Sequence, residues 1–170
     1  MNPTTNLAEG LAETVRSLAV ADAQHPPLYF GLLYLWAHLF GTTTAGLRSL
    51  SALFGLACLP AAYGLGREAF GDRARAGWLM AALVAASPVQ GIYAQTARQT
   101  SLWLLVLLVG TWSLLRALRL GKKRDWLWFG LATVLSLYTT PLGFWALVAQ
   151  GIFTVWVRAC LLYTSDAADE

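Results

Sequence analysis

The side chains of this chain that can do chemistry lie in three short segments. The first holds Asp22, Gln24 and His25. The second holds Gln90, Tyr93, Gln95, Thr96, Arg98, Gln99 and Thr100. The third is Tyr138, Thr139 and Thr140. Arg98 is the only charge between Arg75 and Arg116. Its guanidinium is a planar fork of donors that matches a phosphate in bidentate fashion. At the edge of an apolar stretch it needs a carboxylate, backbone carbonyls or a phosphate, or else it snorkels to solvent and headgroups. His25, followed by Pro26 and Pro27, is a rigidly presented imidazole. It can bind a phosphate or pass a proton, and it can equally be an ordinary helix-end residue. There is no Ser/His/Asp set, no phosphate-cradling glycine loop and no paired His metal ligands. Cys58 and Cys160 show no metal or redox spacing, and Cys58 reads as a small packing residue.

The elements that must position these groups are apolar. Hydrophobic residues make up 57% of the 170 residues and charged residues 12%, about half the charge of a soluble domain. No charge occurs between Asp125 and Arg158. Runs of about 20 such residues are read as membrane helices. The net charge of +3 does not point to nucleic acid, because Arg and Lys gather at span ends, where they set orientation. The eight Trp residues fit an interfacial belt. Spans are expected over 45–68, 74–89, 99–119, 126–140 and 142–158. Before them, 4–22 reads as an amphipathic surface helix, with Leu7, Leu11, Val15 and Leu18 on one face. The diproline opens a further helix that runs to Phe40 and stops at Gly41. It is too short to cross the bilayer core. The fold class is therefore all-α, a polytopic membrane helical bundle of about five spans plus outer juxtamembrane helices. Residues 1–44 form the remainder of a first outer loop, and 45–159 form the membrane region.

The loops around Arg67–Arg75 and Arg116–Arg124 are basic and expected in the cytoplasm. Two spans separate them, so their placements agree. The segments 1–44, 88–98 and 139–143 then face outward. Gly77, Ala81 and Ala85 make a small-residue stripe for helix packing. The string from Cys160 to Glu170 resembles a translated transposon-end sequencing adapter and is set aside as an artefact. The chain is expected to be an internal piece of a larger protein.

Three motifs together resemble a family. His25-Pro26-Pro27-Leu28-Tyr29-Phe30, with Leu39-Phe40-Gly41 and the run Leu47–Gly55, is similar to the GT-C membrane glycosyltransferases. Ser87-Pro88, with Tyr93-Ala94-Gln95-Thr96-Ala97-Arg98, resembles a second outer-loop motif. Leu137-Tyr138-Thr139-Thr140 resembles a later one. The likeness is to the protein mannosyltransferase and lipid A aminoarabinose transferase superfamily, in its bacterial RgtA/B/C/D-like branch.

The resemblance implies transfer of a sugar from a polyprenyl-phosphate donor to a glycan, lipid or protein acceptor. The site would lie at the outer face of the bacterial inner membrane. It puts an acidic pair upstream of Met1 as the catalytic base or a metal contact, so the piece alone is expected to be inactive. It leaves a divalent metal open as a cofactor and assigns no metal ligand in this chain. It places His25, Tyr93, Gln95 and Arg98 around donor and substrate, with Arg98 on the phosphate. The branch usually has Glu at Thr96 and His at Thr140 or Pro141. The alternative function is a non-catalytic membrane scaffold or lipid-binding protein. A transporter subunit is disfavoured by the apolar span centres.

Overall fold

A computed structural model describes residues 27–166, with side chains to Cys160. The expected helix over 4–22 and His25 lie outside the described residues. Among the described residues seven helices follow one another: α1 (Leu28–Phe40), α2 (Thr44–Ala69), α3 (Ala74–Ala86), α4 (Pro88–Ala94), α5 (Thr100–Leu120), α6 (Lys123–Leu137) and α7 (Leu142–Asp166). The bundle is all-α among the described residues, as expected from the sequence.

Turn chemistry sets most boundaries. Gly31 N–H bonds the Pro27 carbonyl at 2.9 Å, so α1 starts at the diproline. It stops at Gly41, whose φ of 84° is open to glycine and strained for other residues. Thr43 caps α2 by accepting the Gly46 N–H at 3.1 Å. Gly121, in the left-handed region at φ 64°, closes α5 and turns the chain into α6.

α2 is central. It packs along α3 on one side and α5 on another, and α5 packs along α6. Two apolar cores result. Tyr29, Leu50, Leu102, Val106 and Ala132 fill one. Cys58, Ala61, Ala62, Leu65 and Leu108 fill the other, so Cys58 is a packing residue. α3 approaches α2 through glycine. A Cβ on Gly66 would stand 2.7 Å from the Ala76 carbonyl, and one on Gly77 would stand 2.8 Å from the Tyr63 carbonyl. Gly77 and Ala81 are buried in this contact, but Ala85 is exposed, so the small-residue stripe packs over only part of its length.

The outer faces carry large apolar side chains. Leu56, Trp78, Leu79, Leu127, Val155 and Trp156 are all more than half exposed. Water would penalise such a surface and lipid does not. α2, α5 and the Leu142–Cys160 part of α7 are long and apolar enough to cross a membrane. The count becomes four when α3 and α4 together make one broken span.

Two expected spans differ in detail. The segment 74–89 is not one helix, since α3 ends at Ala86 and α4 turns away by 63°. Pro88 explains the break. It has no N–H for the Val84 carbonyl, which takes the Ser87 N–H instead at 3.3 Å, and it drives Ser87 to an extended conformation at ψ 117°. The helix expected over 126–140 covers Lys123–Leu137, 15 residues, or about 22 Å. It ends early because the Thr139 and Thr140 N–H groups both turn back to the Ser136 carbonyl at 3.1 Å.

The backbone contact of α2 with α3 has no room to adjust. Gly66→Leu is expected to destabilise the detergent-purified protein by about 1–3 kcal/mol. A Cβ on Gly130 would meet no other part of the bundle within 4 Å, so Gly130→Leu should shift stability by less than about 0.5 kcal/mol. Thermal unfolding followed by circular dichroism checks both, and equal effects would disprove the close approach.

Candidate functional site

The Arg98 end of the bundle is built around the α3–α4 bend. Ser87 caps α4 by accepting the Gln90 N–H at 3.4 Å. α4 then lies on α2 at Gly55, where a Cβ would stand 2.9 Å from Ala94 Cβ and 3.3 Å from Gln90 Nε2. Gln90 is buried and donates to the Gly55 carbonyl at 3.4 Å. That contact fixes where α4 ends, and the segment Tyr93–Arg98 follows from it.

Within that segment Gln95 terminates α4, its N–H on the Ile92 carbonyl at 3.2 Å. Thr96 turns its hydroxyl back onto the Ile92 and Tyr93 carbonyls, both at 3.3 Å. Arg98 N–H bonds the Thr96 carbonyl at 2.8 Å in a tight turn. The Arg98 side chain is exposed and forms no ion pair among the described residues. Gln95 is exposed and Tyr93 half-buried.

Arg98 is tied to the motif that begins at His25. Tyr29, four residues on, is fully buried in α1 and donates to Ser51 Oγ of α2 at 2.8 Å. Ser51 Oγ in turn donates to the Arg98 carbonyl at 3.5 Å. Leu28 N–H reaches the Tyr138 carbonyl at 3.4 Å. The second and third segments singled out in the sequence therefore meet the start of α1 at one end of the bundle. The structure brings Tyr93, Gln95 and Arg98 together there.

Thr139 and Thr140 are buried in the turn between α6 and α7. Thr139 donates to the Leu135 carbonyl at 2.6 Å. Trp103 Nε1 bonds Ser136 Oγ at 3.2 Å and locks α5 to α6 just below.

Tyr93 also lines a groove between the α3–α4 bend and α5. Its volume is about 380 Å³, and Leu83, Val84, Val89, Trp103 and Leu104 make its walls mostly apolar. The end thus offers an exposed guanidinium next to an apolar trough. Such a pair suits an anionic head on a hydrocarbon chain. Among the described residues no three His, Cys, Asp or Glu side chains gather where they could hold a metal.

Nothing local to the chain marks Tyr29 or Ser51 as partners, although they lie in the His25–Phe30 and Leu47–Gly55 segments. Their value depends on a contact across 22 residues, and no local pattern encodes that. Gln90, expected on the outer side of the membrane, turns its side chain into the bundle, because Gly55 leaves space for it.

Residues 24–165 match the family described as dolichyl-phosphate-mannose-protein mannosyltransferase. No curated protein and no solved structure matches the chain.

Tyr29 lies in α1, outside the membrane-spanning helices, and burial pushes its phenol above the ordinary value of 10.0, with the Ser51 hydrogen bond offsetting part of the rise. The folded chain therefore keeps a proton that the unfolded chain loses as pH rises past that value, so this contribution to stability is complete below it and lost above it. Tyr29→Phe is expected to cost about 1–2 kcal/mol at neutral pH. It should also show a smaller loss of melting temperature than the parent between pH 8 and a pH about one unit above the ordinary phenol value. Parallel melting curves for the two proteins at both pH values decide this, and identical pH dependence would count against the buried phenol.

Proposed function

This chain belongs to the dolichyl-phosphate-mannose-protein mannosyltransferase family, and on that premise we propose that the full-length protein moves a sugar from a polyprenyl-phosphate donor to an acceptor at the outer face of a bacterial inner membrane. The protein is an integral membrane glycosyltransferase of the GT-C type, and the family implies a lipid-linked sugar donor and an acceptor. The proposal adds the donor's polyprenyl chemistry, the acceptor's side of the membrane and the residues that hold the donor.

The observation that carries the reading is the placement of Arg98. Its guanidinium is exposed and without an ion pair among the described residues, and its backbone is fixed by Ser51 and Tyr29. The apolar groove lined by Tyr93 begins in the same segment. A polyprenyl chain would lie in the groove with its phosphate at Arg98. Gln95 and Tyr93 then supply neutral polar contacts, and His25, outside the described residues, is proposed as a further donor contact.

The acceptor hydroxyl attacks the anomeric carbon of the donor sugar. A new C–O bond forms while the bond from that carbon to the phosphate oxygen breaks. Polyprenyl phosphate leaves with the electron pair, and the hydroxyl proton passes to a carboxylate supplied from outside the described residues. Arg98 stabilises the charge that grows on the leaving phosphate. A preorganised cation in a water-poor site is worth several kcal/mol of barrier. The basic loops at the opposite end support an outward-facing site, because positive residues favour the cytoplasm.

Membership of the RgtA/B/C/D-like branch is part of the same proposal. The Thr96 hydroxyl is committed to its own backbone and Thr140 is buried. Neither provides the charged or basic group usual in the branch, which leaves the phosphate more dependent on Arg98.

The test is sugar transfer in membranes carrying the full-length protein, with a panel of polyprenyl-phosphate sugars. Arg98→Ala is expected to lower kcat by about 10²–10³. Arg98→Lys should retain part of the activity, since a point charge replaces the bidentate fork. Full activity in Arg98→Ala would move the phosphate elsewhere. No transfer by the unmodified protein with any donor of the panel would favour the membrane scaffold.

A further inference from the structure

The opposite end of the bundle carries a second cavity, remote from Arg98. It lies between α2 and α5, has a volume of about 360 Å³, and is lined by Arg67, Glu68, Asp72, Trp112, Arg116 and Arg119 among others. Arg67 sits over the Tyr63 ring at 5.7 Å and Arg116 over the Trp112 ring at 5.9 Å. These stacks hold two guanidinium planes in place at the cavity wall.

The carboxylates present do not use up these donors. Arg67 pairs with Asp72, both substantially exposed. Arg119 Nη2 stands 2.7 Å from Glu68 Oε1, yet that oxygen accepts no aligned hydrogen bond. Arg116 Nε lies 3.5 Å from Asp125 Oδ1 and is buried with no hydrogen-bond acceptor. A buried donor left unmade is costly; Glu68 Oε1 and Asp125 Oδ2 are likewise buried without a hydrogen-bond partner, so the ion pairing at this end is incomplete. Between Arg67 and Arg75 and between Arg116 and Asp125 this end carries eight basic and three acidic side chains, net +5. The local field thus favours an anion even with the carboxylates in place.

A third cavity shares a wall with this one. It measures about 250 Å³ and is bounded by Glu68 and Arg119 and by Leu115, Leu118, Phe153 and Val157 of α5 and α7. α7 is only 6% buried over its membrane-spanning window, so the gap between it and α5 opens towards lipid. A free phosphate would gain nothing from that apolar slot. A diacyl phospholipid would place one acyl chain in it.

We propose that the paired cavities bind one anionic phospholipid, its phosphodiester between Arg67, Arg116 and Arg119 and an acyl chain between α5 and α7. Arg119 is the hinge of the site, because it lines both cavities. The site is separate from the sugar-transfer reading and does not depend on it.

The experiment extracts the full chain from vesicles of equimolar phosphatidylglycerol and phosphatidylcholine and counts retained lipids by native mass spectrometry. Phosphatidylglycerol is expected to be retained about tenfold over phosphatidylcholine. The Arg67→Gln/Arg119→Gln double variant should bring that ratio near one. Lys123→Gln, a basic residue of the same end outside the cavities, should leave it unchanged. Leu118→Trp fills the apolar slot without touching an arginine and should abolish the preference too, so the result stands even where the double variant fails to fold. Equal retention of the two lipids by the unmodified protein would overturn the proposal. So would an undiminished preference in both folded variants, or displacement of phosphatidylglycerol by millimolar inorganic phosphate.

Discussion

Helix α2 carries Gly55, Gly64 and Gly66 on three contacts where a Cβ would stand within 3 Å of Ala94, of the Trp112 ring and of the Ala76 carbonyl. Each absent side chain admits one neighbour. Gly66 admits α3, Gly64 admits the α5 indole, and Gly55 admits α4. Helices in lipid gain little from hydrophobic burial against one another, since the tails are as apolar as the side chains. Close packing has to supply the attraction, and dispersion falls steeply with distance. The rest of the bundle follows from these contacts. α6 is placed by α5, and α1 is hung on α2 by Trp36, which donates to Ser49 Oγ at 3.0 Å.

The Arg98 end shows how this packing becomes chemistry. Pro88 forces the chain out of α3, and Gly55 determines where the displaced helix lands. Gln90 then satisfies its amide on the α2 backbone instead of facing the apolar surroundings. The Arg98 carbonyl is left where Ser51 can reach it, and its side chain is free to meet an anion. A buried hydroxyl chain is worth keeping only when each member is paired. Tyr29 and Ser51 meet that condition by using each other and one backbone carbonyl.

The two ends of the bundle handle cations differently. Arg98 and Arg119 are separated by 21 residues, nearly all of them in α5, or about 31 Å of helix, the thickness of a bilayer core. At one end the Arg98 guanidinium stands exposed, with no ion pair among the described residues. At the other, Arg67, Arg116 and Arg119 are each set against a carboxylate. The difference matches the tasks proposed for them: an unpaired guanidinium for a leaving phosphate, and a cluster of arginines in excess over its carboxylates for a resident lipid.

Local pattern along the chain encodes the helical membrane character and the α1, α2 and α5 boundaries to within a few residues, and it singles out Tyr93–Arg98 as the segment proposed to meet the donor. These are local properties. Apolar run length, glycine and proline at helix ends, and the position of an isolated charge are all readable along the chain. It did not determine that Ser87-Pro88 breaks the second span, because proline inside a helix can also be tolerated, as Pro60 is in α2. Nor could it show that Ala85 faces outward, that Thr96 is occupied by its own backbone, or that Tyr29 reaches Arg98 through Ser51. Those outcomes depend on which surfaces come within a few ångströms of each other, and that was decided only when the glycines of α2 let their neighbours in.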